Sequence, residues 1–392
     1  MNPPIVVVGG GLAAVTFVTQ LRENGYDGEV VLLAEETHAP YERPPLSKDL
    51  LLGKGTPEDA SVHEPAWYAE HGIDLRTGTA ATAIDLAARR VEAGGEWVDY
   101  DHLVLATGAR PRHLPLADAA GVPVVHLRTL DDSLALRQRL TEGARVGIVG
   151  GGWIGLEVAA AARHHGAEVT VLESLDLPLV RVLGPEVASV FAGLHREHGV
   201  DLRTGVEVTA ITAHGDGATV ALRDGSALDV DLLVVGVGVQ PNVELAEAAG
   251  LVVDNGIRTD HRLRTSDEHV HAIGDVANAD HPVLGHPLRV EHWDTAKKHG
   301  QALAATLTGT PTAADALPYF FTDQYDLGME YVGNPGPQGY DRVVLTGDVA
   351  GRVFRAWWLR GDRVVAGMHV NDWDAIDEIR RVVGSTEPLP ES

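Results

Sequence analysis

A chain of 392 residues, 44% of them hydrophobic, is long enough to bury several cores and predicts two or three domains. Its net charge of −25 argues against nucleic acid as a partner, because a phosphate backbone would be repelled overall. The absence of cysteine excludes disulfides, cysteine-held iron–sulfur or zinc sites and cysteine nucleophiles. No run approaches the roughly 18 apolar residues of a membrane span.

The N-terminus runs from Met1-Asn2-Pro3-Pro4 straight into Ile5-Val6-Val7-Val8, without a basic segment or cleavage site, and a cytoplasmic protein is expected. Ile5–Val8 reads as a strand entering Gly9-Gly10-Gly11. The following helix places Val15, Val18 and Leu21 on one face and can stop at Gly25, and Val30–Leu33 reads as the second strand. The order then repeats. Val146–Val149 enters Gly150-Gly151-Gly152, an alanine-rich helix covers Leu156–Arg163, and Val169–Leu172 follows as a strand. His71-Gly72-Ile73-Asp74-Leu75-Arg76-Thr77-Gly78 is echoed by His198-Gly199-Val200-Asp201-Leu202-Arg203-Thr204-Gly205. Each half closes on an apolar strand running into glycine, Leu103–Gly108 and Leu232–Gly236. Two βαβ-based domains of a parallel, doubly wound sheet are the economical reading.

Gly9, Gly11 and Ala14 fit G-x-G-x-x-A, and Gly150, Gly152 and Gly155 fit G-x-G-x-x-G. The first glycine permits the tight turn, the second admits a pyrophosphate to the backbone, and the third small residue lets helix and strand pack closely. The helix N-terminus then offers free N–H groups to phosphate. A lone match is weak, but each loop follows a strand, opens a helix, and is followed by an acid after the next strand, Glu35 and Glu173. A carboxylate at Glu173 can hold the adenosine ribose and would repel a 2′-phosphate, so NADH is expected over NADPH. The 19 histidines are scattered along the chain, and no metal site is expected; His164-His165 reads as a favourable contact at a helix end.

The segment Tyr41-Glu42-Arg43-Pro44-Pro45-Leu46-Ser47-Lys48 resembles the R-P-P-L-S-K flavin-lining segment of the FAD-dependent NADH:ferredoxin reductases, the putidaredoxin reductase and ring-dioxygenase ferredoxin reductase type. Ala272-Ile273-Gly274-Asp275-Val276 resembles their second FAD motif, and Pro318-Tyr319-Phe320-Phe321-Thr322-Asp323-Gln324 the opening of their C-terminal domain. The resemblance implies an α/β fold with two Rossmann-like dinucleotide-binding domains, for FAD and NAD, plus a small α+β C-terminal domain. It implies a discontinuous FAD domain at residues 1–113 and 242–317, an NAD domain at 114–241 between them, and a C-terminal reductase domain at 318–392.

The same resemblance puts Gly9, Gly11, Ala14 and Glu35 on the ADP part of FAD, with Arg43 and Lys48 beside the flavin. Lys48 would pair with Glu157 near the hydride-accepting nitrogen. Asp275 would take the ribitol, Glu291, His292 and Trp293 would lie at the flavin and nicotinamide face, and Gly236, Val237 and Gly238 would line the NAD site. Lys48, Glu157 and Trp293 are the expected catalytic residues. His292 stands where threonine is frequent in this family, and Lys297, Lys298 and His299 replace neutral amide residues.

The expected activity carries electrons from NADH through FAD to a small iron–sulfur ferredoxin that feeds an oxygenase. Without cysteine, electrons cannot pass through a dithiol and must go directly to a docked acceptor. Two other readings share the fold: a redox-sensing NADH-binding flavoprotein of the apoptosis-inducing-factor type, and an NADH:quinone or oxygen oxidoreductase. Only four lysines occur, Lys48, Lys54, Lys297 and Lys298. Two of them follow Trp293 on a helix expected to run toward Leu303, which suggests a basic docking spot for an acidic ferredoxin. The protein is expected as a monomer or homodimer.

Overall fold

The computed structural model describes residues 3–389, which divide into two compact units. Of the described residues, the first comprises 3–42, 58–110 and 240–319; the second comprises 43–57, 111–239 and 320–389.

The first unit is built on a five-stranded parallel sheet in the order Val270–Ala272, His102–Leu105, Ile5–Val8, Val30–Leu33, Ile73–Arg76. All four residues of Ile5–Val8 are buried, as expected of a strand covered on both faces. The Leu12–Glu23 helix supplies Val15, Val18 and Leu21 to one core, together with Leu303 of the long Trp293–Leu307 helix. The opposite face packs Val6, Leu103 and Val270 under a three-stranded antiparallel sheet that contributes Val91 and Ala93.

The second unit repeats this plan. Its parallel sheet runs Asp201–Arg203, Glu168–Leu172, Arg145–Val149, Leu232–Val235, Val124–Val125. The Trp153–His164 helix packs Val158, Ala159, Ala161 and Ala162 onto it. Thr129 caps the Leu130–Arg139 helix in a reciprocal capping box with Asp132. The C-terminal segment forms a five-stranded sheet in which Leu327–Gly333, Arg363–Val370, Val353–Arg360 and Arg342–Asp348 pair antiparallel, with Tyr319–Gln324 on one edge.

Two segments group differently from the boundaries read in the sequence. Arg43–Pro57 packs with the second unit, because Leu51 joins the core of Leu136, Val146 and Val158 and the Ser133 hydroxyl donates to the Leu46 carbonyl. The C-terminal sheet shares a core with the nucleotide-type half of the same unit, where Val187 and Phe191 of the Val180–Glu197 helix meet Met329, Trp358 and Met368. Trp358 Nε1 also donates to the Leu183 carbonyl at 3.2 Å. Burying a tryptophan and a phenylalanine in one cluster gives that helix and sheet a common core of large apolar area.

Candidate dinucleotide and ion-pair sites

Each glycine loop is dictated by the strand before it and the helix after it. Gly9 and Gly150 have φ of +115° and +108°, and a Cβ on them would lie 2.2 Å from the Ala106 carbonyl oxygen and 2.4 Å from that of Gly236. Only glycine fits there. Gly155 is required for another reason: its Cβ would be 2.2 Å from the Gly150 carbonyl oxygen. Ala14, at the same point of the first loop, is fully buried.

Gly11 and Gly152 behave differently. Both are N-caps in ordinary extended backbone, with φ of −85° and −82°, and neither has a side-chain cap. A Cβ on Gly11 would meet nothing within 4 Å, and on Gly152 only the Gly236 carbonyl oxygen at 4.0 Å. Protein packing does not require either glycine. The open space at each uncapped helix start fits a pyrophosphate that must come close to the backbone, so the residues present match FAD and NAD.

Glu173 follows its strand and turns back to the second loop. Its Oε2 accepts from Gly151 N at 2.7 Å and its Oε1 from Leu175 N at 2.8 Å. This bracing of the loop by Glu173 was not apparent from the motif. Gly236 backs the loop, its Cβ position 3.6 Å from Gly155 N, while Val237 is exposed and Gly238 has φ +100°. In the first unit Gly10 abuts Ala34, a Cβ on it falling 2.7 Å from the Ala34 Cβ, and Glu35 is exposed just beyond.

A buried polar cluster of the second unit centres on Glu157, which is 4% exposed. It lies in the Trp153–His164 helix. Lys48 Nζ donates to its Oε1 at 2.9 Å, Thr322 Oγ1 to the same oxygen at 2.6 Å, and Ser47 Oγ to its Oε2 at 2.5 Å. Lys48 Nζ also lies 5.4 Å from the Phe321 ring centroid. The network continues inward: Gln324 Nε2 donates to Thr322 Oγ1 at 3.1 Å, and its Oε1 accepts from His195 Nε2 at 2.8 Å. Burial drives the His195 pKa down to about 4, against the hydrogen bond it donates to Gln324, and raises that of the Asp323 carboxyl, which the Lys48 charge lowers in part. Arg43 Nη1 donates to the Arg128 carbonyl. Sequence reasoning found Lys48 and Glu157 but missed Ser47 and Thr322 as partners of Glu157, and Gln324 behind Thr322. Ser47 and Thr322 stood inside quoted motifs without a role.

The remaining expected residues belong to the first unit. Asp275 lies in the Gly274–Val276 turn, where a Cβ on Gly274 would be 2.8 Å from Ala13 Cβ, so the second motif abuts the first turn of the Leu12–Glu23 helix. Glu291 pairs with Arg289, whose Nη1 also donates to the Asp275 carbonyl at 3.2 Å. His292 caps the Trp293–Leu307 helix and meets Tyr319 edge-on, ring centroids 6.2 Å apart. Lys297 Nζ lies over the Trp293 ring at 4.1 Å, the contact expected of positions four apart on a helix, and Lys298 is exposed. Lys48 and Glu157 are in one unit and Trp293 in the other.

Residues 3–300 match the family model described as pyridine nucleotide-disulphide oxidoreductase, and residues 319–392 the model described as reductase C-terminal. Putidaredoxin reductase CamA of Pseudomonas putida is 39% identical, over 99% of this chain and 93% of its own length. The ferredoxin–NAD(+) reductase component of the anthranilate 1,2-dioxygenase system of Burkholderia cepacia is 41% identical, over 97% of this chain and 94% of its own. The covalent putidaredoxin reductase–putidaredoxin complex superimposes with a TM-score of 0.95 at 38% identity, covering 99% of this chain and 94% of that one. Two glycine loops of dinucleotide type, the C-terminal sheet and these matches together place the chain, itself without cysteine, in the pyridine nucleotide-disulphide oxidoreductase family.

Proposed function

We propose that this chain is an NADH-dependent ferredoxin reductase that carries electrons through FAD to a small iron–sulfur ferredoxin serving an oxygenase. The observation that carries the reading is the Lys48–Glu157 pair, held at 2.9 Å in the half of the chain that also bears the second glycine loop, in a chain without cysteine. Members of this family use FAD and NAD(H), and the two uncapped glycine loops fit them. FAD, when bound, supplies the change from two-electron to one-electron transfer that a nicotinamide donor and an iron–sulfur acceptor require.

In this reading residues 1–113 and 242–317 hold FAD, 114–241 hold NAD, and 318–392 form the C-terminal reductase domain. Gly9, Gly11, Ala14 and Glu35 bind the ADP moiety of FAD, Asp275 its ribitol, and Arg43, Glu291, His292 and Trp293 its ring and the nicotinamide. Gly150, Gly152, Gly155, Glu173, Gly236, Val237 and Gly238 bind NAD. The Lys48 ammonium, fixed by the buried Glu157 carboxylate, presents a positive charge where negative charge develops, and costs no reorganisation at that moment. Glu173 discriminates against a 2′-phosphate. Among the described residues no helix is long and apolar enough to cross a membrane; we assign the protein to the cytoplasm, where NADH and ferredoxin are available.

The test is NADH-dependent reduction of cytochrome c with and without an added acidic ferredoxin. Strong stimulation by ferredoxin is expected; equal rates without it, or a long-lived NADH complex with slow turnover, would overturn the reading. Trp293, Lys297 and Lys298 are the proposed docking spot. Lys297→Glu with Lys298→Glu should slow ferredoxin reduction at low salt and leave ferricyanide reduction intact. The deficit should shrink as ionic strength rises and the Debye length falls below about 10 Å.

A further inference from the structure

At the N-terminal ends of two neighbouring strands of the first unit, opposite the glycine loop, three histidines converge. Leu103 is level with Val270, and Val104 with His271, so His102 comes level with His269. Side chains alternate along a strand, which puts His102, His269 and His271 on one face. The ring centroids of His102 lie 5.6 Å from His269 and 5.3 Å from His271. One ligand-type atom each of Asp101, His102 and His269 lies within 4.8 Å of the other two.

The hydrogen bonds around this cluster select which nitrogens are open. His269 Nδ1 lies 3.0 Å from the Asp101 carbonyl oxygen, so Nδ1 carries the proton and Nε2 the lone pair. His271 Nε2 lies 3.3 Å from His102 Nδ1, which leaves Nε2 of His102 open to an ion. His271 is 4% exposed, and its own Nδ1 has no partner among the described residues. A second carboxylate is near, with Glu268 Oε1 3.6 Å from His269 Nε2. Two imidazoles, each hydrogen-bonded through its other nitrogen, and one carboxylate are the donor set of a divalent late first-row ion with a water in the fourth position.

We propose that Asp101, His102 and His269 bind a zinc-type divalent ion, with His271 orienting His102 from the buried side. The ion ties the start of the His102–Leu105 strand to the start of the Val270–Ala272 strand, two segments about 170 residues apart in sequence, and so stabilises the N-terminal edge of the sheet. It lies at the end of the strands remote from the dinucleotide loop and takes no part in electron transfer.

The experiment uses FAD-loaded, tag-free protein stripped with EDTA and titrated with zinc chloride by calorimetry, with melting followed in parallel. One equivalent of zinc is expected to bind, and to raise the melting temperature where magnesium does not. Asp101→Asn combined with His269→Gln should lose at least about tenfold in affinity together with the melting shift. Retained flavin absorbance shows that this variant is folded. Should the pair fail to fold, Asp101→Asn alone, which keeps size and backbone contacts, must weaken binding by a similar factor. Wild-type protein that takes up no zinc, or variants that bind it as the wild type does, would overturn the proposal, as would zinc binding that leaves the melting temperature unchanged.

Discussion

Lys48→Met removes one charge from beside a buried carboxylate that accepts three side-chain hydrogen bonds. Glu157 is 4% exposed and the Lys48 side chain 15%. The substitution leaves the carboxylate with only the hydroxyls of Ser47 and Thr322, at 2.5 and 2.6 Å. Breaking a buried pair from one side costs about 3–5 kcal/mol. Two surviving hydrogen bonds to a charged group, each about 1.5–3 kcal/mol, put the expected loss at the lower end, about 3 kcal/mol. Adding Glu157→Gln to Lys48→Met removes the orphaned charge; the amide oxygen accepts from one hydroxyl while the amide NH2 donates to the oxygen of the other, and about 2 kcal/mol should be restored. Urea unfolding of the FAD-loaded protein, read by circular dichroism across the full double-mutant cycle, measures both quantities. Stopped-flow bleaching of the flavin by NADH should slow on the order of 10²-fold in Lys48→Met and should not recover in the double variant. A stability loss below about 1 kcal/mol with unchanged bleaching would mean an ordinary exposed ion pair and refute the reasoning.

Gly152→Ala should fold, because its backbone is extended and its Cβ meets only one atom at 4.0 Å, yet raise the KM for NADH at least about tenfold, a loss of about 1.4 kcal/mol. Gly150→Ala, with φ +108° and a carbonyl 2.4 Å away, should not give folded protein; equal behaviour of the two variants in expression and NADH kinetics would contradict this division of roles. Glu173→Arg should raise activity with NADPH relative to NADH. It should also cost about 2 kcal/mol of stability, because Gly151 N and Leu175 N lose their acceptor, and parallel kinetics and melts separate the two effects. His195, lowered to about 4 by burial, is neutral in the folded protein while the unfolded chain binds a proton below about pH 6.5. Its contribution is therefore intact above pH 6.5 and is lost as pH falls toward 4, on the order of 3 kcal/mol in all. His195→Asn should flatten the acid limb of the stability–pH curve, and an unchanged limb would show that His195 is not buried neutral.

The glycine loops were legible because their motif is local, a short glycine spacing between a strand and a helix, although the carbonyls that exclude a Cβ at Gly9 and Gly150 belong to Ala106 and Gly236, far away in sequence. The strands Val30–Leu33 and Leu232–Val235 were legible as continuous apolar runs, each preceded by an acidic residue. The helix of the first half shows its inward face in Val15, Val18 and Leu21, all fully buried. The grouping of Arg43–Pro57 was not legible. A proline-rich loop carries no periodicity, and what holds it is Leu51 entering a core made by Leu136 and Val158, residues some 85 to 107 positions away.

The sequence by itself determined that two dinucleotide folds are present and that no thiol relays electrons. These follow from short-range sterics and from composition. Only the tertiary structure decided what each side chain faces. Glu173 braces its own loop, Thr322 and Ser47 complete the shell of Glu157, and three of 19 scattered histidines meet on one sheet edge. Strand pairing brings His102 level with His269 across 167 positions, and a parallel pairing of that separation is fixed by the burial of the whole sheet, not by any pattern near either residue.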